Sequence, residues 1–261
     1  MVTASPSRPI IEAIDLSKGY GGDQLALDRL NLGVRRGELY CVLGAQGAGK
    51  TTALNLFLGF SKPTYGRAWV VGVDPVAEPI LARQAIGYIG AQASLYENMT
   101  ARQNIEFFTR LGTDRDAPRS HVHIAMRQFG LPERKFEQKV ALLPKEFRVF
   151  IWLAITFLRG TPIVMLDEPT AGLDSRASAD LQEHLLDFRR QGKTVLLATT
   201  DVFLASQVSD RIGILKQGQK VAEHTRAQML GQSLNELYFE YTGRPPRSGP
   251  PTNGHSRHPP T

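Results

Sequence analysis

Short, dense apolar runs punctuate the chain: Ile10-Ile11-Glu12-Ala13-Ile14, Leu30 to Val34, Leu39-Tyr40-Cys41-Val42-Leu43, Ile163-Val164-Met165-Leu166 and Thr194-Val195-Leu196-Leu197-Ala198. Runs of this length predict strands, and the last three predict strands covered on both faces. Between the last two, Leu181, Leu185 and Phe188 recur at steps of four and three, and Gly192 supplies a stop. That spacing predicts a helix. Strand, helix, strand with buried strands implies a parallel sheet in an α/β fold. The stretch from about Ser94 to Gly160 is rich in helix formers, with breaks at Gly130-Leu131-Pro132 and Leu143-Pro144. It predicts a helical subdomain inserted between two parts of the sheet, within one domain over residues 1–242. No internal repeat or heptad run is present.

Composition narrows the class. The 261 residues are 42% apolar and 21% charged, the balance of a soluble globular protein. The longest strongly apolar stretch, Val149 to Leu158, is half of what a membrane-spanning helix needs. Met1 to Ile10 carries prolines and polar groups instead of a signal-peptide core. The single cysteine, Cys41, forms no internal disulfide and fits a reducing compartment. The expectation is a cytoplasmic chain that does not cross the bilayer by itself. The formal charge of +6 is concentrated at one end: Gly243 to Thr261 holds three arginines, six prolines, no acid and no large apolar residue. Such a segment cannot bury a core and is expected to be a disordered, solvated tail, with an interaction segment as the other reading. Without it, 28 basic residues face 25 acids, a weak footprint for nucleic acid.

The sharpest chemical signal is Gly44-Ala45-Gln46-Gly47-Ala48-Gly49-Lys50-Thr51, followed by Thr52, between a buried strand and a helical stretch. It fits the phosphate-binding loop pattern G-x-x-x-x-G-K-[ST]. Glycines let the backbone curl so that successive N–H groups converge on phosphate oxygens, and the helix N-terminus adds its positive end. Lys50 would reach the β- and γ-phosphates, and Thr51 would ligate Mg²⁺. The alternative is a plain glycine-rich turn. A second constellation, Asp167-Glu168-Pro169, closes the run Ile163 to Leu166. There Asp167 would hold the Mg²⁺ shell and Glu168 would orient or deprotonate a water; alone, the pair reads equally as a solvated strand end.

Together these residues resemble the ATP-binding subunits of ABC transporters, over nearly all of residues 8–235. Asp167-Glu168-Pro169-Thr170-Ala171-Gly172-Leu173-Asp174 is similar to that family's Walker B and D-loop run. Tyr20, in Leu16-Ser17-Lys18-Gly19-Tyr20-Gly21, matches its adenine-stacking aromatic, and Ile86-Gly87-Tyr88-Ile89 and Ser94 to Thr100 resemble its Q-loop flanks. The inserted helices are most similar to the ABC-2 type. The resemblance implies a P-loop NTPase core with an N-terminal antiparallel β part. It also implies ATP and Mg²⁺ as ligands, and two subunits that close face to face to drive a membrane permease.

Departures from that family are equally specific. The signature position reads Leu143-Pro144-Lys145-Glu146-Phe147-Arg148. Pro144 removes a hydroxyl and a backbone donor, and Glu146 puts a carboxylate where a partner's phosphates would sit. Lys145 also occurs in the subfamily pattern and is no specific compensation. The Q-loop glutamine falls on Ala91, with Gln92 one place late and able to reach the metal only by a local slip. Thr200 stands at the switch histidine's place, and the six histidines read as surface residues. Val149, Phe150, Ile151 and Trp152 read as a buried helix or as an apolar partner surface. Three functions remain open: an ATPase subunit, a nucleotide-holding module with little turnover, and a soluble ATPase acting on nucleic acid or ribosomes, for which the chain has no room for tandem domains. The resemblance favours the inner face of the cell membrane, a permease of ABC-2 type, and a heterodimer with an intact relative over a homodimer.

Overall fold

The computed structural model describes residues 8–22, 24–90, 94–111, 118–229 and 233–243. Strands β1 (Ile11–Gly19) and β2 (Leu25–Val34) pair antiparallel, and β3 (Leu39–Gly44) leads into helix α1 (Lys50–Phe57). Strand β4 (Tyr65–Val70) returns to the free side of β1, giving a three-stranded antiparallel sheet. The chain continues through α2 (Pro79–Gln84) and β5 (Ile86–Ile89) into three helices, α3 (Ala101–Arg110), α4 (Arg119–Gln128) and α5 (Lys145–Leu158). It then alternates: β6 (Ile163–Asp167), α6 (Ser175–Arg190), β7 (Thr194–Thr199), α7 (Val202–Val208), β8 (Arg211–Lys216), β9 (Gln219–Thr225), and the terminal helices α8 (Arg226–Met229) and α9 (Leu234–Thr242). The main sheet has the order β5-β6-β7-β3-β8-β9, parallel except for the β8–β9 hairpin.

The period of two along each strand builds the two halves of the core. Leu39, Cys41, Leu43, Val164, Leu166, Val195 and Leu197 pack toward α5, α6 and α7. Tyr40, Val42, Met165, Leu196 and Ala198 pack toward α1 and the antiparallel sheet. Each such Leu or Val contributes about 1.5–3 kcal/mol by burial. Burial also pushes the Cys41 thiol well above its ordinary pKa, so it is inert. Helix α6 buries Leu181, Leu185 and Phe188, starts at Asp174, whose carboxylate accepts the Ala177 N–H at 2.8 Å, and stops before Gly192 at φ 77°. The α/β fold with an antiparallel N-terminal sheet and inserted helices is as the sequence predicts.

Several strands extend or escape the sequence reading. Strand β1 runs on to Gly19 and β2 begins at Leu25, while β4, β8 and β9 are absent from the hydrophobic runs. Strand β4 exposes Tyr65, Gly66 and Arg67, and β9 alternates exposed with half-covered residues. The apolar run of β8 is broken by Gly213, where a Cβ would stand 2.4 Å from the Tyr40 hydroxyl.

That hydroxyl belongs to a polar cluster at the end of β3 away from Gly44. Tyr40 donates to Glu223 Oε2 at 2.6 Å, Lys220 approaches the same oxygen at 2.7 Å, and Arg211 bridges Glu38 and Glu223 at 3.1 and 2.8 Å. Burial acts to raise the Glu223 carboxyl, but the bonds from Lys220 and Tyr40, the Lys220 charge and the bond from Arg211 outweigh it and lower its pKa from 4.5 to about 2. A depressed carboxylate stabilises the fold above its unfolded pKa and loses that contribution as pH falls through the folded value. Glu223→Gln is therefore expected to lower stability by about 1 kcal/mol at pH 7, after screening of a half-exposed group. The gap in urea midpoint should shrink between about pH 4.5 and 2; a gap independent of pH would contradict this.

Within the inserted helices, Thr100 and Gln103 form a capping box on α3, and α5 packs against α3, α4 and β5. Gly87 in β5 makes the close approach possible, because a Cβ there would lie 2.2 Å from Thr156. Phe150 and Ile151 are buried, as the buried-helix reading expects, whereas Val149 and Trp152 are partly covered and line a cavity beside Asp167. Arg148 pairs in a fork with Glu97, tying the first turn of α5 to the segment before α3. Among the described residues no helix is long and apolar enough to cross a membrane.

Candidate functional site

Strand β3 ends at Gly44, and the chain curls through Gly47 (φ 81°) and Gly49 (φ 104°) into α1. Gly49 is required twice over: its φ is left-handed, and a Cβ would lie 2.5 Å from the Ala26 carbonyl. No side chain caps α1, so its first N–H groups face the pocket in the arrangement that suits an anion. A brace holds the loop from behind. The Gly218 N–H donates to the Ala48 carbonyl at 3.0 Å, and the Asp28 N–H donates to the Gly218 carbonyl at 2.9 Å.

Three strand ends meet here. Lys50 is buried, and its Nζ donates to the Gly44 and Ala45 carbonyls at 2.8 and 3.0 Å and pairs with Glu168 Oε1 at 3.0 Å. Thr51 donates its hydroxyl to Asp167 Oδ2 at 2.7 Å, while Asp167 Oδ1 is buried without a partner. Burial raises the Asp167 carboxyl, partly offset by the Thr51 bond. An orphaned carboxylate oxygen beside a hydroxyl fits a hard cation such as Mg²⁺. Among the described residues no group of three His, Cys, Asp or Glu could hold a metal alone, so phosphate oxygens and water would complete the shell. Glu168 has φ 48°, a strained position for a residue with a Cβ, and its N–H donates to the Ala198 carbonyl at 2.8 Å. Its Oε2 accepts from the Thr200 N–H at 2.9 Å, the Thr200 hydroxyl at 3.2 Å and the Thr199 hydroxyl at 3.3 Å.

These groups surround a pocket of about 510 Å³ lined by Gln46, Gly47, Gly49, Lys50, Thr51, Thr52, Glu168 and Thr200, with Ala26 and Ala171. Of the residues singled out from sequence, Gly44, Ala45 and Ala48 belong to the loop but do not line this pocket, their carbonyls accepting from Lys50 and the Gly218 N–H, and Asp167 sits beneath Thr51. Tyr20 is 63% exposed just beyond β1, with the Lys18 ammonium 5.0 Å over its ring, and it does not line the pocket. Ala91, Gln92 and residues 244–261 lie outside the described residues. Pro144 caps α5 at φ −51°, Lys145 begins the helix and Glu146 lies in its first turn.

The histidine reading needs correction. His184 is half-buried between Phe129 and Phe150, with ring centroids 5.0 and 5.6 Å away, because α6 packs this face against α4 and α5. His123 and His224 also pack on rings, those of Phe136 and Tyr241. The Thr199 hydroxyl and the Gly218 brace escaped sequence reasoning. The Gln217-Gly218 turn, at φ 49° and 83°, was the available signal for the second.

Known proteins match this arrangement. The family described as ABC transporter matches over residues 27–171. The probable multidrug ABC transporter ATP-binding protein YbhF of Escherichia coli is 34% identical over 236 residues; the alignment covers 90% of this chain but only 40% of that protein. The daunorubicin resistance ATP-binding protein DrrA3 of Streptomyces coeruleorubidus is 35% identical over 223 residues, covering 84% of this chain and 70% of the relative. The dimeric, ADP- and Pi-bound structure of the ATP-binding cassette MJ0796 superposes with a TM-score of 0.74 at 26% identity, covering 83% of this chain and 98% of that one. The chain is a member of the ABC transporter family of ATP-binding proteins.

Proposed function

We propose that the chain binds Mg-ATP, pairs with a second ATP-binding subunit, and drives a separate membrane permease of ABC-2 type from the inner face of the membrane, with weakened hydrolysis. The observation that carries this reading is the convergence of Lys50, the Thr51–Asp167 pair and Glu168 on one pocket. The loop amides and the α1 N-terminus bind the phosphates, and Lys50 exchanges Glu168 for phosphate oxygens. Mg²⁺, held by Thr51 and Asp167 with Gln92 as a further candidate, would supply Lewis-acid charge neutralisation. Glu168, kept in place by Thr200 and Thr199, orients a water and accepts its proton as the water oxygen bonds to the γ-phosphorus and the bond to ADP breaks. Tyr20 stacks on the adenine.

The impaired part is the face offered to the partner. At the start of α5 the proline removes a donor, and Glu146 places its charge on the helix's positive end. In a homodimer both nucleotides would meet this surface; in a heterodimer the chain's own Lys50 and Glu168 would meet an intact one. The second reading, a non-hydrolysing regulatory subunit beside an intact ATPase, draws on the same Pro144 and Glu146. Repair discriminates the two. Phosphate release by the purified chain should be slow, and Pro144→Ser with Glu146→Gly should raise it about tenfold or more. Rapid turnover by the unmodified chain would overturn the impaired reading; no gain on repair, with nucleotide binding intact, would favour the regulatory one.

A further inference from the structure

Helix α6 turns a histidine toward the core. His184 falls between Leu181, Leu185 and Phe188, the residues this helix buries, at the spacing of one helical face. Its ring meets Phe129, at the end of α4, at 5.0 Å and Phe150 of α5 at 5.6 Å, with interplanar angles of 60° and 82°. Phe129 also packs on Phe157 and Phe188, at 5.7 and 5.6 Å, and Phe147 in the first turn of α5 packs on Phe150 at 6.4 Å. An aromatic seam therefore joins α6 to the inserted helices and ends at the first turn of α5.

His184 is the polar member of that seam. Its Nε2 is buried and has no hydrogen-bond partner among the described residues. A proton added there creates a charged donor with no acceptor, in surroundings that cannot solvate it. Three carboxylates of α6 itself, Asp180, Asp187 and Glu183, act in favour of the proton, and Asp187 is shared with Arg190 at 3.1 Å. Among the described residues no charge of α4 or α5 acts on the ring. Arg127 of α4 is engaged by Glu133 at 2.7 Å, and the charges of α5 lie in its first turn. Burial outweighs the carboxylates and holds the imidazole below its usual pKa. The opened chain therefore takes the proton more readily than the packed one. The contact is fully stable above the unfolded histidine range, about pH 6.5, and weakens as pH falls from there toward the lowered folded value.

We propose that His184 is a proton-sensitive wedge in the seam between α6 and the inserted helices. With a neutral ring α5 is held against α6; protonation opens that contact as far as the first turn of α5. The response of the seam stands on its packing alone. Its consequence, weaker pairing with a second subunit at mildly acidic pH, rests on the proposed function, in which the start of α5 faces that subunit.

The test is amide hydrogen exchange on the full chain without nucleotide, at about pH 7.5 and about pH 5.5, corrected for intrinsic exchange rates. It compares the wild type with His184→Phe, which fills the seam without a proton site, and His184→Gln, which stays neutral at both pH values. Controls are His123→Gln and His224→Gln, which remove the other two ring-packed histidines. On going to the lower pH, the amides of α5 and the end of α4 should exchange about three- to tenfold faster in the wild type, while those of β3 and β7 do not change. That acceleration should vanish in both His184 variants and persist in both controls. Its absence from the wild type, its survival in a His184 variant, its loss in a control, or its equal spread to β3 and β7 would overturn the proposal. No nucleotide enters the measurement, so a negative result leaves the nucleotide reading standing, and failure of that reading leaves the seam result intact.

Discussion

Glu168→Gln is expected to lower ATP turnover about 10²–10⁴-fold, the range for a positioned general base, without weakening nucleotide binding. The side chains have the same shape, and a glutamine carbonyl can still accept from the Thr200 N–H, which stands 2.9 Å from Oε2. What is lost is the proton acceptor and the negative charge facing Lys50 at 3.0 Å. An amide NH₂ opposite an ammonium forms no bond, so Lys50 is released toward phosphate and ATP affinity should rise a few-fold. The two readouts move in opposite directions, which separates loss of chemistry from loss of fold. Phosphate release that persists in the variant would assign the activity to another group or another protein.

Legibility in the sequence followed the physics of each feature. Strands β3, β6 and β7 are buried on both faces, so each reads as an unbroken apolar run and its edges are found within a residue. Strands β4 and β9 lie at sheet edges with one wet side, and their polar positions hide them. The loop from Gly44 to Thr51 is local, so its spacing carried it. The clamp on Glu168 is not local: Thr199 and Thr200 come from the end of β7, adjacent to β6 only because the sheet pairs Asp167 with Ala198. From sequence Thr200 reads as a missing histidine; in three dimensions its hydroxyl and N–H hold the Glu168 carboxylate. His184 likewise reads as a surface residue from composition, and only the packing of α6 on α4 and α5 buries it.

Lys50 carries the largest share of the proposed binding. Its ammonium is buried between two loop carbonyls and Glu168, so Lys50→Ala removes the cation and leaves Glu168 and Asp167 facing the phosphates unopposed. A charge-assisted bond to a buried group is worth about 1.5–3 kcal/mol, so Kd for Mg-ATP should rise about 10- to 100-fold or more. Part of that loss is repulsion, and Lys50→Ala/Glu168→Gln should recover some of it. Titration calorimetry of Mg-ATP into the wild type, Lys50→Ala and the double variant is the most direct measurement. Expected are saturable heat in the wild type, its collapse in Lys50→Ala and partial return in the double variant. No heat in the wild type, or the same isotherm after Lys50→Ala, would contradict the assignment of this loop as the nucleotide cradle.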